Sequence, residues 1–429
     1  MAEAMNLPAR SAMASLRAEL PRCRFCGSEL HRSFVDLGLS PLCQNHIEPS
    51  ELNAPEPFYP LHVWVCDSCL LVQLEEYVSP TEIFSDYAYF SSYSASWVEH
   101  ARRYCEAMIE RLGLTESDRV VEVASNDGYL LQHFLARGIP VHGVEPAANV
   151  AEAAREKGIP CTLAFFGRAT AEQLAGEIGR PRLLLGNNVL AHVPDINDFV
   201  GGLATLVSDD GVVTMEFPHL LRLMQENQFD TIYHEHFSYL SLTFVQRLFA
   251  HHGLRLFDVE QLRTHGGSLR IFATPAPRSE CPGTGRVEEV LAAEGAARLQ
   301  DPSGYTGFGE RVCKVKRDLL RFLIDARDAG KRVVGYGAPG KGNTLLNYCG
   351  IRTDLLDFTV DASPHKQGRF TPGARLPILA PDAIRDARPD YVLILPWNLE
   401  EEIQHQLRDI RSWGGQCVVP IPELRVLDW

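Results

Sequence analysis

Arg119-Val-Val-Glu-Val-Ala-Ser-Asn-Asp-Gly-Tyr129 is the stretch that decides the fold. Val120 to Ala124 read as a buried strand, Asn126 and Gly128 as the loop that ends it, and Tyr129 to Arg137 as a helix. A second strand, Val141-His-Gly-Val-Glu-Pro146, follows and ends on the acid Glu145. Strand, glycine loop, helix, strand and acid make the nucleotide-binding half of a doubly wound sheet, in which the acid can accept both hydroxyls of a ribose. The loop has one glycine and is not G-x-G-x-x-G, so it lacks the row of amides that a pyrophosphate wants at a helix N-terminus. Ser125, Asn126 and Asp127 suit a ligand without phosphates instead. Further on, Leu183-Leu-Leu-Gly-Asn-Asn-Val-Leu-Ala-His192 reads as an apolar strand ending in Asn187 and Asn188, with His192 on the next turn. Gly211 to Pro218 reads as a fifth strand.

Outward from this unit, 429 residues suggest about three domains. With 45% apolar and 22% charged residues the composition is globular. A net charge of −14 argues against wrapping a phosphate backbone, so no nucleic-acid partner is expected. No apolar run approaches the length needed to span a bilayer, and the Arg-bearing N-terminus has no apolar signal core. The expectation is a cytoplasmic protein with no membrane association. A monomer is the default.

Eleven cysteines in a reducing compartment need a use other than disulfides. Four form two C-x-x-C pairs, Cys23 with Cys26 and Cys66 with Cys69. Two residues between thiolates let one tight turn aim both sulfurs at a tetrahedral ion, and a closed four-sulfur site is structural, so zinc is expected. A redox pair or four ordinary core cysteines are the alternatives, and Cys43, His46 and His62 are spare ligand candidates. Leu61 to Cys66 alternates like a strand leading into the second knuckle.

Tyr233-His-Glu-His-Phe-Ser-Tyr239 is the densest titratable cluster. It suits acid–base chemistry, with a metal pair or a structural cluster as competing readings. His265-Gly-Gly-Ser-Leu-Arg270 is either a hairpin turn or a site-lining loop. A polar stretch from about Pro275 to Gly309, with a helix pattern inside it, divides the chain. A second nucleotide-type unit starts at Lys331-Arg-Val-Val-Gly-Tyr-Gly-Ala-Pro-Gly-Lys-Gly-Asn-Thr344. Its glycines, Lys341 and Asn343 read as a phosphate cradle at a helix N-terminus, though not a Walker loop. A ligand-free Rossmann repeat is the alternative.

Taken singly, Glu122-x-x-x-x-x-Gly128 resembles the first motif of class I S-adenosylmethionine-dependent methyltransferases, with an NAD-binding or purely structural Rossmann unit as the alternatives. Together the paired C-x-x-C, Asp86-Tyr-Ala-Tyr-Phe-Ser-Ser-Tyr93, Glu122 to Gly128, Gly186 to His192, Tyr233 to His236, His265 to Arg270 and Lys341 to Thr344 resemble one family, the sugar-nucleotide C-methyltransferases of deoxysugar biosynthesis. The likeness runs from about Cys23 to the C-terminus. It implies an α/β chain: a small N-terminal zinc-binding module with a lid (1–100), an S-adenosylmethionine domain (101–275) and a Rossmann-like sugar-nucleotide domain (276–429), the last two doubly wound.

The resemblance implies methyl transfer to the carbon beside a ketone, C3 of a nucleotide-linked 4-keto-6-deoxy sugar, with TDP the favoured nucleotide. It makes His236 the base, with Tyr233, Glu235, His192 and Tyr87 in the catalytic group. Glu122, Ser125, Asn126, Gly128, Glu145, Asn187 and Asn188 are the expected cofactor residues. Tyr89, His234, Lys341, Gly342 and Asn343 are the expected substrate residues. Cys43 and Pro339 depart slightly from the pattern. A methyltransferase acting on oxygen or nitrogen, and a non-catalytic zinc-ribbon protein, are the rival functions.

Overall fold

The computed structural model describes residues 20–84, 90–276 and 283–428; Tyr87, Tyr89 and Cys281 lie outside them. Three sheets organise the described residues. The first begins with β1 (Arg32–Ser40), β2 (Tyr59–Val65) and β3 (Val72–Leu74), paired antiparallel in that order. Cys23 and Cys26 form one knuckle ahead of β1, and Cys66 and Cys69 form the other between β2 and β3. The knuckles are built alike. Gly27 N–H closes onto the Cys23 carbonyl at 2.9 Å and Leu70 N–H onto Cys66 at 2.9 Å, each residue in the left-handed region.

The middle sheet holds β4 (Val120–Val123), β5 (Val141–Glu145), β6 (Cys161–Leu163), β7 (Leu183–Asn187) and β8 (Val212–Pro218). These five are parallel, as the nearly all-buried Val and Leu runs of β4 and β7 demand. After β8 the chain departs to make β9 (Ser238–Tyr239), then returns as β10 (Leu254–Leu262) and β11 (Ser268–Pro275). The order is β10-β11-β8-β7-β4-β5-β6, with β11 antiparallel to both neighbours. The helix predicted over Tyr129 to Arg137 is shorter, Leu131–Leu135. Helix Ala95–Leu112 precedes β4 and buries Ala101, Tyr104, Cys105 and Met108, a stripe at helical spacing; Ser94 caps its start and Gly113 ends it in the left-handed region.

β9 does not join the middle sheet. It pairs with β3, Val72 opposite Tyr239, and completes the zinc sheet. The stretch expected to divide the chain is tied in as well. Helix Arg286–Ala296 carries Glu294, which is fully buried and accepts from the Leu242 and Thr243 amides at 2.6 and 2.8 Å and from His219 Nε2 at 2.7 Å.

The last sheet comprises β12 (Val333–Tyr336), β13 (Thr359–Val360), β14 (Ile378–Leu379), β15 (Tyr391–Ile394), β16 (Gln416–Val419) and β17 (Arg425–Val426), in the order β14-β13-β12-β15-β16-β17. It is parallel except for β17. Its core runs into that of the zinc sheet: Phe34 on β1 stacks on Phe308 of helix Phe308–Asp328, ring centroids 4.6 Å apart. The α/β architecture therefore matches the sequence reading. No helix of the described residues is long and apolar enough to cross a membrane.

Candidate active site

The knuckles bring Cys23, Cys26, Cys66 and Cys69 together, all four sulfurs within 4.8 Å of one another. Cys23 meets Cys69 at 3.5 Å and Cys26 meets Cys66 at 3.5 Å. Four Zn–S bonds of about 2.3 Å in a tetrahedron set the sulfurs about 3.8 Å apart, so the donor set fits one structural zinc. Among the described residues this is the one metal-capable group of His, Cys, Asp and Glu. The spare candidates are used elsewhere: His62 meets Ser33 Oγ at 2.8 Å, His46 meets the Ala338 carbonyl at 3.3 Å, and Cys43 faces Glu235.

Ligands of open α/β sheets bind at the carboxyl ends of the strands. Here β4 and β7 end in strained backbone: Ala124, Asn126 and Asn188 all have positive φ, as does His265 in the turn before β11. Asn126 N–H and Ala147 N–H donate to the two oxygens of Glu145, at 2.9 and 3.0 Å, and Ser91 N–H donates to Asn126 Oδ1 at 2.9 Å. Gly128 is in the left-handed region, and a Cβ there would come within 2.3 Å of Ile159. Ser125 Oγ fills the space that a Cβ on Gly143 would take, at 2.4 Å. Glu122 is fully buried with no hydrogen bond to either oxygen, and burial pushes its carboxyl well above the usual range. A buried acid without a partner at this strand end fits a cationic amino group of a ligand.

His236 is 9% exposed and lies 4.6 Å from His192 and 4.0 Å from Tyr233, between ring centroids. Its Nδ1 meets the Thr231 carbonyl at 2.8 Å. A carbonyl only accepts, so the proton sits on Nδ1 and Nε2 keeps its lone pair. Burial, then the neighbouring His192, hold His236 well below its ordinary pKa, so it stays neutral. Burial likewise pulls His192 down to about 4. Glu235 is buried, with Cys43 Sγ 3.7 Å from Oε1, and burial lifts its carboxyl to about 7. His234 points elsewhere: its ring faces Tyr59 and its Nε2 meets the Pro60 carbonyl at 3.2 Å.

The sequence reading names Asn188 and the turn at His265 but does not single out Glu216, Thr264, His100 or Trp97. Asn188 Nδ2 donates to His265 Nε2 at 3.1 Å, joining the turn before β11 to the end of β7. The turn is held by Glu216, which accepts from Thr264 Oγ1 at 2.9 Å and Arg270 at 2.6 Å and meets His100 Nε2 at 3.0 Å. Burial raises the Glu216 pKa, yet His100, Arg270 and Thr264 outweigh it and hold the carboxyl down at about 2. Trp97 stacks on His100 at 4.8 Å and meets His265 in a T-shaped contact at 5.2 Å. The Glu216–Arg270 pairing lies across two strands far apart in sequence, so no local pattern carries it.

In the last unit, the glycines mostly permit close packing. A Cβ on Gly340 would meet Cys43 Sγ at 2.9 Å, on Gly342 the Leu395 Cβ at 2.9 Å, and on Gly337 the Pro396 ring at 2.6 Å. Ala338 N–H is taken by Asp361 at 2.8 Å, and Asn343 Nδ2 donates to the Cys43 carbonyl at 2.7 Å. Lys341 Nζ donates to Asn398 Oδ1 at 2.7 Å.

Three family models match in succession: "Putative zinc binding domain" over 23–84, "Methyltransferase domain" over 97–259 and "C-methyltransferase C-terminal domain" over 263–422. C-methyltransferase NovU of Streptomyces niveus is 38% identical over 418 residues, 97% of this chain and 99% of that protein. Among solved structures, the magnesium protoporphyrin IX methyltransferase ChlM of Synechocystis with bound SAM is 14% identical, covering 42% of this chain and 80% of its own, with a TM-score of 0.31. The CcbJ methyltransferase of Streptomyces caelestis is 14% identical, covering 41% of this chain and 89% of its own, with a TM-score of 0.32. The chain is an S-adenosylmethionine-dependent methyltransferase with a zinc-binding module. It belongs to the C-methyltransferase family that includes NovU.

Proposed function

We propose that the chain methylates C3 of a TDP-linked 4-keto-6-deoxy sugar, with His236 as the base. The observation that carries this reading is the hydrogen bond from His236 Nδ1 to the Thr231 carbonyl, which leaves Nε2 free to accept a proton in a buried, neutral imidazole. Nε2 takes the C3 proton, and the C–H electron pair moves onto the adjacent carbonyl to give an enolate. General base catalysis of this kind is worth roughly 10²–10⁴-fold. Neutral His192 and Tyr233, both against His236, donate to the enolate oxygen, and a good donor of that type is worth about 3–4 kcal/mol. Tyr87, which lies outside the described residues, joins them.

When bound, S-adenosylmethionine supplies an electrophilic methyl on its sulfonium. Glu122, Ser125, Asn126, Gly128, Glu145, Asn187 and Asn188 hold it at the ends of β4, β5 and β7. Glu122 meets the amino group, and Glu145, already carrying two backbone amides, offers its remaining lone pairs to the ribose. Lys341 meets the diphosphate of the sugar nucleotide. Residues 1–100, 101–275 and 276–429 serve as zinc module and lid, cofactor domain and sugar-nucleotide domain. One chain supplies every named group, which suits a monomer, and none of the ten described cysteines is in a disulfide, which suits the cytoplasm.

Deuterium washing into C3 in the absence of methyl donor, lost in His236→Asn, tests the reading. Methyl transfer to a hydroxyl or amine needs no such exchange. Turnover of 4-keto sugars with no exchange at C3 overturns the assignment.

A further inference from the structure

Lys341 is held in an unusual way for a cation. Its Nζ lies 4.5 Å from the centroid of the Trp397 ring and donates to Asn398 Oδ1 at 2.7 Å. Trp397 is itself pinned: it is buried, and its Nε1 donates to Asp230 Oδ2 at 2.7 Å. The far edge of the indole fits only because residue 266 is glycine, since a Cβ there would come within 2.7 Å of Cη2. Asp230 is fully buried and its Oδ1 has no hydrogen-bond partner.

This arrangement joins four segments. Trp397 and Asn398 lie in the turn after β15, and Lys341 lies in the first turn of helix Gly340–Cys349. Asp230 precedes Thr231, whose carbonyl fixes His236, and Gly266 follows His265. The Lys341 charge reaches both histidines and opposes their protonation. An ammonium has three N–H donors. Asn398 takes one and the indole face covers one side, so a donor remains for a ligand while the stem is already fixed. A lysine free to rotate loses that freedom on binding, and prior fixing removes the loss.

We propose that Trp397 and Asn398 are positioning residues that fix the Lys341 ammonium to receive a phosphate of a nucleoside diphosphate; this rests on the substrate reading above. Trp397 acts through its ring face, which attracts a partly desolvated cation, and the Asp230 bond keeps that face in place.

The test is calorimetric titration of thymidine diphosphate into the zinc-loaded full chain, with S-adenosylhomocysteine titrated in parallel. Trp397→Leu is expected to weaken thymidine diphosphate about 10-fold and Asn398→Ala about 3-fold, while Trp397→Phe, which keeps a ring, stays within about 3-fold of the parent. S-adenosylhomocysteine affinity stays unchanged in all three. In turnover, Trp397→Leu raises KM and leaves kcat within about 3-fold. If Lys341→Gln loses 10-fold while Trp397→Leu binds like the parent, the positioning role is overturned and the substrate reading stands. If Lys341→Gln itself binds thymidine diphosphate like the parent, the Lys341 contact and the positioning role are both overturned, whereas a parent chain that does not bind thymidine diphosphate overturns the substrate reading. Should Trp397→Leu lose S-adenosylhomocysteine binding through misfolding, Asn398→Ala and Trp397→Phe decide: equal affinity in Asn398→Ala and the parent overturns the proposal.

Discussion

Thr231 and His236 are joined by a single hydrogen bond, 2.8 Å from imidazole Nδ1 to the carbonyl, and that bond decides which ring nitrogen faces the substrate. A carbonyl has no proton to give, so the tautomer is fixed without a carboxylate partner. His236→Asn keeps a polar side chain of similar reach but has no basic nitrogen. Turnover is expected to fall by roughly 10²–10⁴-fold, with S-adenosylhomocysteine binding retained. Product mass spectrometry and calorimetry check the pair of outcomes; near-normal turnover would move the base to Glu235 or His192.

Glu235 links stability to pH. Burial lifts its carboxyl from 4.5 to about 7. A carboxyl with a raised folded-state pKa holds its proton more tightly in the folded chain. That contribution is full below pH 4.5 and is lost as pH rises through about 7. Glu235→Gln, neutral at every pH, is therefore expected to be the more stable protein by about 3 kcal/mol at pH 8 and nearly equal to the parent at pH 4. Urea unfolding at the two pH values measures the gap. A gap that does not open with pH would show that the buried carboxylate is compensated.

Zinc holds the two knuckles, and the sheet behind them borrows β9 from the segment just after His236. Cys66→Ser is expected to lower zinc from one ion per chain and drop the unfolding midpoint by more than about 10 °C, since structural zinc binding is worth on the order of 10 kcal/mol. Activity should fall with it, although none of the four cysteines belongs to the proposed catalytic group. Elemental analysis and calorimetric melting report both effects.

Gly128 is in the left-handed region at the cofactor loop. Gly128→Ala places a Cβ within 2.3 Å of the Ile159 side-chain tip. The tip can move, but the backbone strain stays, costing about 1–2 kcal/mol. S-adenosylmethionine affinity should fall about 10-fold. Adding Ile159→Val should restore little of it, because the contact is the smaller part; full restoration would reverse that ranking.

The legible parts of this fold were those written in short runs. The Val and Leu runs of β4 and β7 announced a parallel sheet, and two C-x-x-C pairs announced four sulfurs at one point. The structure brings His192, Tyr233 and His236 into one cluster. Other side chains were not legible, because neighbours in sequence diverge in space. His234, flanked by the same motif, faces Tyr59 in the zinc sheet. The glycines around Lys341 read as a cradle, yet Gly340, Gly342 and Gly337 make room for Cys43, Leu395 and Pro396. Glycine in a sequence marks close approach without naming what approaches. Trp397 and Asp230 carry no motif, and 167 residues separate them.

The strand exchange between β3 and β9 sets a timetable for synthesis. Val72 cannot meet Tyr239 until a further 167 residues, Tyr239 included, have been translated. At about 5–20 residues per second that interval is roughly 8–33 s. During it, the nascent zinc knuckles stand beside an open sheet edge on the ribosome. A cell making this enzyme must therefore guard an unfinished N-terminal edge, and a messenger truncated before codon 239 would yield a chain whose first sheet never closes.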